Sequence, residues 1–396
     1  MHLDPLFKPV AALGTAQTLA WASSYYLPAM LAVPMAADLR ISTTMVFAAF
    51  SAALLVSAVV GPWAGRAIDR HGGRSLLMGT NLLFALGLGA LAWAQGPLTL
   101  FAAWLLIGIA MGSGLYEAAF STLVRLYGSE SRGAITGITL IAGLASTVGW
   151  PLSALMEAHF GWRGTCLGWA ALHLVIGLPL NAMLPTPTLQ GRPPDGESGS
   201  ASPSERASEQ IVPAKPVLTS ALLAFTFAAT WFISTAMAAH LPRLLQASGV
   251  SLAVAVGIGA LVGPSQVLAR VLEFGLLRRV HPLLAARLAA LAHPVGAAIL
   301  WAVGAPGAAV FAVLHGAGNG ILTIAKGTLP LVLFGPVGYG ARQGWLMVPS
   351  RLAQASAPLL FGLAIDRWGA GAVGLSAAIG LGAFMALMLL SAHRTR

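Results

Sequence analysis

The sequence predicts an all-α membrane protein with twelve transmembrane helices arranged in two halves of six. The chain of 396 residues is 57% hydrophobic and only 9% charged, whereas soluble proteins carry about 25% charged residues. Turn residues and charges divide it into twelve apolar segments, each near the length of about 20 residues that crosses a bilayer. A polar stretch lies between the sixth and seventh segments. A lipid bilayer is therefore the expected surrounding of this chain.

The first six spans are predicted at 10–36, 43–65, 75–95, 98–125, 133–157 and 165–184. The other six are predicted at 217–240, 252–275, 285–303, 306–333, 341–364 and 372–391. The N-terminal stretch lacks a strongly basic start and a clear cleavage site, so we interpret it as the first span and not as a signal peptide.

Residues 185–216 are rich in Pro, Ser, Gly and charge and contain few aliphatic side chains. Such a composition cannot form a hydrophobic core and predicts a flexible linker. We therefore expect an N-terminal six-helix unit at 1–184, a cytoplasmic linker at 185–216 and a C-terminal six-helix unit at 217–396.

Basic residues predict the orientation of the chain. Of the 22 lysines and arginines, fourteen lie in loops or within the first three residues of a span on one side of the membrane, four lie in loops on the other side, and the remaining four lie within spans. The positive-inside rule places both termini in the cytoplasm, in the cytoplasmic (inner) membrane. The net charge of +10 is scattered and forms no basic stripe, so nucleic acid is not an expected partner.

Cysteine and histidine give no sign of a metal site or a cofactor. Cys166 is the single cysteine, and His173, His293 and His315 are isolated without the spacing of metal ligands. An enzyme would need a nucleophile with its base or a metal cluster. The sequence shows neither, so we do not expect an enzyme.

Two internal repeats support the division into halves. The segment GSGLYEAAFSTL at 112–123 aligns without gaps on GNGILTIAKGTL at 318–329, and GRAIDRHG at 65–72 returns as GLAIDRWG at 362–369. In the predicted topology the second pair lies on opposite sides of the membrane. An inverted repeat within six-span halves produces that relation.

The loop after the second span resembles the signature G-x-x-x-D-R-x-G-x-R of the major facilitator superfamily, at Gly65, Asp69, Arg70, Gly72 and Arg74. FGWRG at 160–164 and the second DRxG are supporting matches. The resemblance implies two six-helix bundles around a central cavity that opens alternately to each side. It also implies that these five residues form a gate, in which Asp69 holds the bundles together at the cytoplasmic side.

Besides Arg287 and Arg342, which lie in the first residues of their spans, four basic residues fall inside predicted spans: Arg125, Arg270, Lys326 and Arg351. Each costs about 2.5–3.5 kcal/mol at mid-bilayer, so each needs a partner or a function. Arg125 lies near the end of its span, where its head group can reach the surface. The other three belong to the C-terminal half, and guanidinium groups suit carboxylates, which predicts an anionic substrate.

Arg270 has two interpretations. Gln266 and Glu273 lie on the same helical face, so Arg270 either forms a structural ion pair with Glu273 or faces the cavity. Its position resembles that of the eighth-span arginine in the monocarboxylate transporter and oxalate/formate antiporter branch, and Arg351 lies in the span of that antiporter's second basic residue. Gln266 replaces the aspartate that monocarboxylate transporters usually carry there.

Glu117 is then the first candidate for a proton carrier, and Glu273 is the second. The alternative for Glu117 is that it neutralises a basic group across the bundle. The predicted substrate-binding residues are basic, aromatic or polar side chains within the spans: Arg270, Arg351, Lys326, Tyr25, Tyr26, Tyr116, His240, Asn319 and Gln266.

Together these observations predict a monomeric secondary active transporter of a small organic anion, a carboxylate, coupled to a proton or a counter-anion. The alternatives are an exporter of amphipathic or cationic compounds and a non-transporting membrane receptor. Many drug exporters have an arginine four residues before a glycine in the fourth span, where this chain has Trp104 before Gly108. That difference disfavours drug export.

Overall fold

The structure, a computed structural model, describes residues 7–185, 213, 215–275 and 280–390. These residues form sixteen α-helices and no β-strand. The first nine helices are α1 (Phe7–Ser23), α2 (Leu27–Leu39), α3 (Thr43–His71), α4 (Arg74–Ala92), α5 (Pro97–Gly114), α6 (Tyr116–Tyr127), α7 (Ser131–Ala142), α8 (Ala145–Leu172) and α9 (Leu178–Ala182). The remaining seven are α10 (Pro216–Ala247), α11 (Leu252–Gly259), α12 (Val262–Gly275), α13 (Pro282–Val303), α14 (Ala308–Phe334), α15 (Tyr339–Trp368) and α16 (Ala372–Leu389). Most of the predicted linker lies outside the described residues.

The helices confirm twelve spans in two six-helix bundles. Seven apolar helical stretches of the described chain are long enough to cross a membrane. Five of them are single spans, whereas Pro97–Ala182 contains spans 4, 5 and 6, and Tyr339–Leu389 contains spans 11 and 12. Spans 1 and 8 complete the twelve, because each is divided into two shorter helices, α1 with α2 and α11 with α12.

Spans 1 and 4 are predicted as continuous helices, but the structure breaks both near their middle. In span 1 the break lies between Ser23 and Leu27, where the Tyr26 amide donates to the Trp21 carbonyl at 3.1 Å. Pro28 follows in the first turn of α2, a position that proline tolerates because the amide there has no helical partner. In span 4 the extended residue Leu115 separates α5 from α6. The breaks direct side chains of both spans toward the centre of the molecule.

Helices α1–α9 form the N-bundle, and helices α10–α16 form the C-bundle. The bundles meet where α3 packs along α15, where α7 packs against α12 and α14, and where α6 contacts α15. Large apolar side chains such as Val59 and Trp63 are exposed on the outside, as expected for helices that face lipid.

Candidate functional site

A cluster of charged and aromatic side chains lies where the two bundles meet. Arg351 belongs to it and lies about 18 Å along α15 from that helix's first residue, at 1.5 Å per residue, so the cluster is deep within the spans. We call it the central cluster. Its members are Trp21, Tyr25, Tyr26, Tyr116, Glu117, Trp231, Arg270, Lys326 and Arg351.

An ion pair joins the two bundles within the central cluster. Arg351 Nη2 lies 3.1 and 3.0 Å from Glu117 Oε1 and Oε2, and the two side chains are 3% and 15% exposed. Arg351 Nη1 donates to Gln354 Oε1 at 3.0 Å, and the Tyr25 hydroxyl lies 3.2 Å from Thr235 Oγ1. Of the two interpretations of Glu117, the structure therefore displays neutralisation of a basic group across the bundles.

Arg270 is buried and also reaches across the interface. Its Nε donates to the Gly320 carbonyl at 3.3 Å, and its Nη1 donates to the Thr139 carbonyl of the N-bundle at 3.1 Å. Nη2 lies 3.5 Å from Gln266 Oε1. All of these acceptors are neutral, so no described carboxylate forms an ion pair with Arg270.

The ion pair of Arg270 with Glu273 that the sequence left open is absent from the described residues. Glu273 lies at the end of α12 and interacts electrostatically with Arg132. An offset of three residues allows neighbouring side chains on one helix face, but Arg270 extends toward the other bundle. Glu273 is therefore not a member of the central cluster.

Lys326 is the third basic group of the central cluster. Its Nζ lies 3.8 Å from the ring centroid of Trp231, which is a cation–π distance. The side chain is 4% exposed, and Nζ has no hydrogen-bond partner among the described residues. Among the described residues, the central cluster therefore contains three basic side chains and one carboxylate.

The central cluster is closely packed. The cavity beside Glu117 and Arg351 has a volume of about 10 Å³. That volume corresponds to about one water molecule. A larger molecule can therefore reach these side chains only when the two bundles separate.

A second contact between the bundles lies about 16 Å from Arg351 along α15, at 1.5 Å per residue. We call it the gate contact. Asp69 Oδ1 accepts from the Gly340 amide at 2.9 Å, and Asp69 Oδ2 accepts from the Ala341 amide at 2.8 Å. Both amides belong to the first turn of α15, where amide groups lack helical partners and the helix dipole favours negative charge. The carboxylate of one bundle thus caps a helix of the other.

Glycines allow the backbones to approach at the gate contact. A Cβ atom on Gly340 would lie 2.5 Å from the Gly65 carbonyl oxygen and 2.7 Å from Asp69 Oδ1. Gly72 ends α3 with a φ of 83°, a backbone conformation that glycine adopts without strain. Arg70 is exposed and Arg74 begins α4, so these two arginines of the motif lie at the surface end of the gate.

The sequence profile of the Major Facilitator Superfamily matches residues 13–336. The chain belongs to this superfamily. Its members are transporters that bind small molecules within a membrane, so this protein is a multi-pass membrane transporter. The sequence predicts that the chain is not an enzyme, and the members of its family are generally transporters and not enzymes. The further resemblance to the monocarboxylate and oxalate/formate branch stays a prediction.

Solved structures of superfamily transporters share the fold. The human organic anion transporter MFSD10 (TETRAN) has a TM-score of 0.72 and 17% identity, and the match covers 97% of this chain and 100% of that one. The transporter FucP, in the outward conformation, has a TM-score of 0.71 and 15% identity, over 97% of this chain and 98% of that one. At such identities the likeness concerns the fold.

One curated relative is an uncharacterized 38 kDa protein in the 23S RNA operon of Thermoproteus tenax. It is 32% identical over 139 residues, which are 35% of this chain and 36% of that protein. The match thus spans little more than a third of either chain.

Several predicted site residues lie elsewhere in this Major Facilitator Superfamily fold. His240 Nε2 contacts the Pro358 carbonyl at 2.7 Å within the C-bundle, and Asn319 lines a small cavity of that bundle. His293 and His315, predicted as isolated, lie side by side there with their Nδ1 atoms 3.0 Å apart. Arg125 is exposed at the end of α6, as a side chain that reaches the surface should be.

The sequence prediction omits two members of the central cluster and one residue bonded to it. Trp21 and Trp231 stack across the bundle interface with ring centroids 6.1 Å apart, and Gln354 links Arg351 to the first span. The chain contains eleven tryptophans, and nothing in their spacing marks these two. A signal existed for Gln354, because it is a polar residue three positions after a basic residue within an apolar span.

Proposed function

We propose that this transporter carries a small organic anion, a carboxylate, by secondary active transport with alternating access. The observation that supports it most is the excess of basic groups in the central cluster, where Arg270, Lys326 and Arg351 lie with Glu117 as the one carboxylate among the described residues. Arg270 donates to neutral oxygens alone. A carboxylate adds the attraction of opposite charges to the hydrogen bond with a guanidinium group, so an anion that reaches Arg270 improves on its present contacts. MFSD10, which shares the fold, is an organic anion transporter, and this substrate class is compatible with the proposal.

Glu117 supplies the coupling in this proposal. Its carboxylate occupies Arg351, so a substrate carboxylate must compete with it for the guanidinium. Protonation of Glu117 ends that competition and frees Arg351. Proton binding and anion binding then favour each other, since linkage is reciprocal, and a proton travels with the anion. Exchange against a counter-anion is the corresponding mechanism in which Glu117 stays ionised.

The gate contact closes one entrance to the central cluster in the same proposal. Release of Asp69 from α15 opens that entrance, and the two bundles rock about the cluster. We further propose the domain limits 1–184, 185–216 and 217–396, and an orientation in the cytoplasmic membrane that places the gate contact and both termini in the cytoplasm. The excess of basic residues in those loops supports this orientation.

The test is uptake of radiolabelled carboxylates by proteoliposomes that contain the purified protein. We expect uptake to increase when the lumen is made alkaline, because the proton then drives the anion inward. Arg351→Gln and Arg270→Gln should each lower uptake at least tenfold, since a hydrogen bond to a charged group contributes about 1.5–3 kcal/mol and about 1.4 kcal/mol is a factor of ten.

Arg125→Gln is the matched control, because it removes an exposed arginine from the end of α6. Its uptake should equal that of the unmodified protein. Wild-type uptake by both Arg270→Gln and Arg351→Gln would show that the proposed anion site is wrong. In Glu117→Gln the stimulation by the pH gradient should disappear, and persistence of that stimulation would remove Glu117 from the coupling.

A further inference from the structure

Aromatic rings from both bundles surround the basic groups of the central cluster. Trp21 of span 1 and Trp231 of span 7 are stacked, with ring centroids 6.1 Å apart and ring planes within 7°. Tyr116 and Tyr25 pack against Trp21 with centroid distances of 4.9 and 5.3 Å. The charged site therefore has aromatic walls, and one wall belongs to each bundle.

Three buried donors of this site have no acceptor among the described residues. They are Lys326 Nζ, Trp21 Nε1 and Trp231 Nε1, on side chains that are 4%, 3% and 8% exposed. Buried donors without partners are costly and are rare in folded proteins. All three groups can only donate. Lys326 Nζ lies over the face of Trp231, so a ligand that lies against this indole and satisfies Lys326 must offer an acceptor.

We infer that the substrate is a planar aromatic carboxylate, an inference that rests on the proposed transport of an organic anion. Its ring stacks between the indoles of Trp21 and Trp231, and its carboxylate accepts from Lys326, whose Nζ lies over the face of the Trp231 ring. The two indoles separate when the bundles move apart, because each belongs to a different bundle. A ring between them needs planes about 7 Å apart, which is twice a carbon contact distance of about 3.5 Å.

Other ligand classes use the site less completely. An aliphatic carboxylate satisfies Lys326 but leaves the indole faces without a stacking partner. An aromatic cation stacks on the indoles but meets the positive charges of Lys326 and Arg351 and leaves Lys326 without an acceptor. The combination of aromatic walls with unpartnered donors thus selects both features of the ligand.

The test is isothermal titration of the purified full-length protein in detergent with benzoate and with cyclohexanecarboxylate. The two anions have similar size and charge, and only benzoate has an aromatic face. We expect benzoate to bind at least fivefold more tightly, a factor in the range that aromatic pairs add beyond burial. Trp231→Leu should abolish this preference. Trp169→Phe, which changes a buried tryptophan bonded to Ser153 at 3.0 Å, should retain it.

Trp231→Phe is a second variant, which replaces the indole with a smaller aromatic ring. It should retain a preference for benzoate, and loss of the preference in this variant would contradict stacking at position 231. Equal affinity of the unmodified protein for the two anions would overturn the aromatic class and leave the organic-anion proposal intact. Binding of neither anion would overturn both.

Discussion

The gate contact and the central cluster both join the N-bundle to the C-bundle, but by different means. At the gate contact one carboxylate accepts from two amides of α15, and glycines let the backbones touch. In the central cluster long side chains form an ion pair, cation–π contacts and stacked rings. The gate contact consists largely of backbone contacts, which a small molecule cannot easily replace. In the central cluster, by contrast, a ligand with a charge and an aromatic ring could take the place of each partner. In the proposed mechanism the gate contact therefore closes the transporter, and the central cluster binds the substrate.

Among the variants that test this comparison, Glu117→Gln should have the largest effect, which is on the stability of the folded protein. It leaves the buried guanidinium of Arg351 without its counter-charge, which typically destabilises a protein by about 3–5 kcal/mol. Thermal unfolding in detergent should therefore begin at a clearly lower temperature. Added carboxylate should restore more stability to this variant than to the unmodified protein, because the ligand replaces the missing charge. If added carboxylate stabilises both proteins equally, Glu117 does not compete with the ligand.

Asp69→Asn should give a smaller effect, confined to opening of the gate. It removes the charge and one of the two acceptors at a helix terminus, because the Asn NH2 group cannot accept from a backbone amide. The loss is at least about 1.5 kcal/mol, or at least about a tenfold shift toward the open gate. Labelling of Ser57→Cys with an impermeant thiol reagent measures this shift, because Ser57 lines the cavity beside Glu117 and the native Cys166 is buried. Faster labelling from the Asp69 side is expected, with little change in thermal stability. Unchanged labelling would contradict the gate role.

Asp366→Asn should give the smallest effect, although Asp366 occupies the same place in the second DRxG segment. Its carboxylate pairs with Arg243 of the same bundle, and the side chains are 56% and 50% exposed. Exposed pairs contribute about 1 kcal/mol or less. Transport and thermal stability should therefore stay near wild type, and a loss as large as that of Asp69→Asn would show that the DRxG sequence alone decides the role.

The spans could be predicted from the sequence because a bilayer fixes the length of an apolar helix. The breaks in spans 1 and 4 could not, since Tyr26 and Leu115 leave the helix where their spans border the central cluster, and that cluster exists only after folding. Proline at position 28 follows the first break, but Pro62 and Pro330 lie within unbroken helices. Proline alone therefore does not mark a break.

Basic residues of the site were identifiable because charge is rare in these spans. Their partners were not, since Glu117 and Arg351 are separated by 234 positions and no local spacing relates them. The pairing with Glu273 was an attractive prediction because i and i+3 side chains are neighbours. Arg270 contacts Thr139 instead, since the facing bundle offers acceptors that the sequence of α12 does not reveal.

The claim that the central cluster binds anions is tested most directly with two aromatic ligands of opposite charge. Thermal unfolding of the purified protein is measured with benzoate, with benzylammonium and without ligand, and repeated with Arg351→Gln. Ligands that bind the folded state stabilise it by mass action. We predict that benzoate raises the unfolding temperature, that Arg351→Gln abolishes most of this rise, and that benzylammonium has no effect. Stabilisation by benzylammonium alone would contradict anion binding at the central cluster.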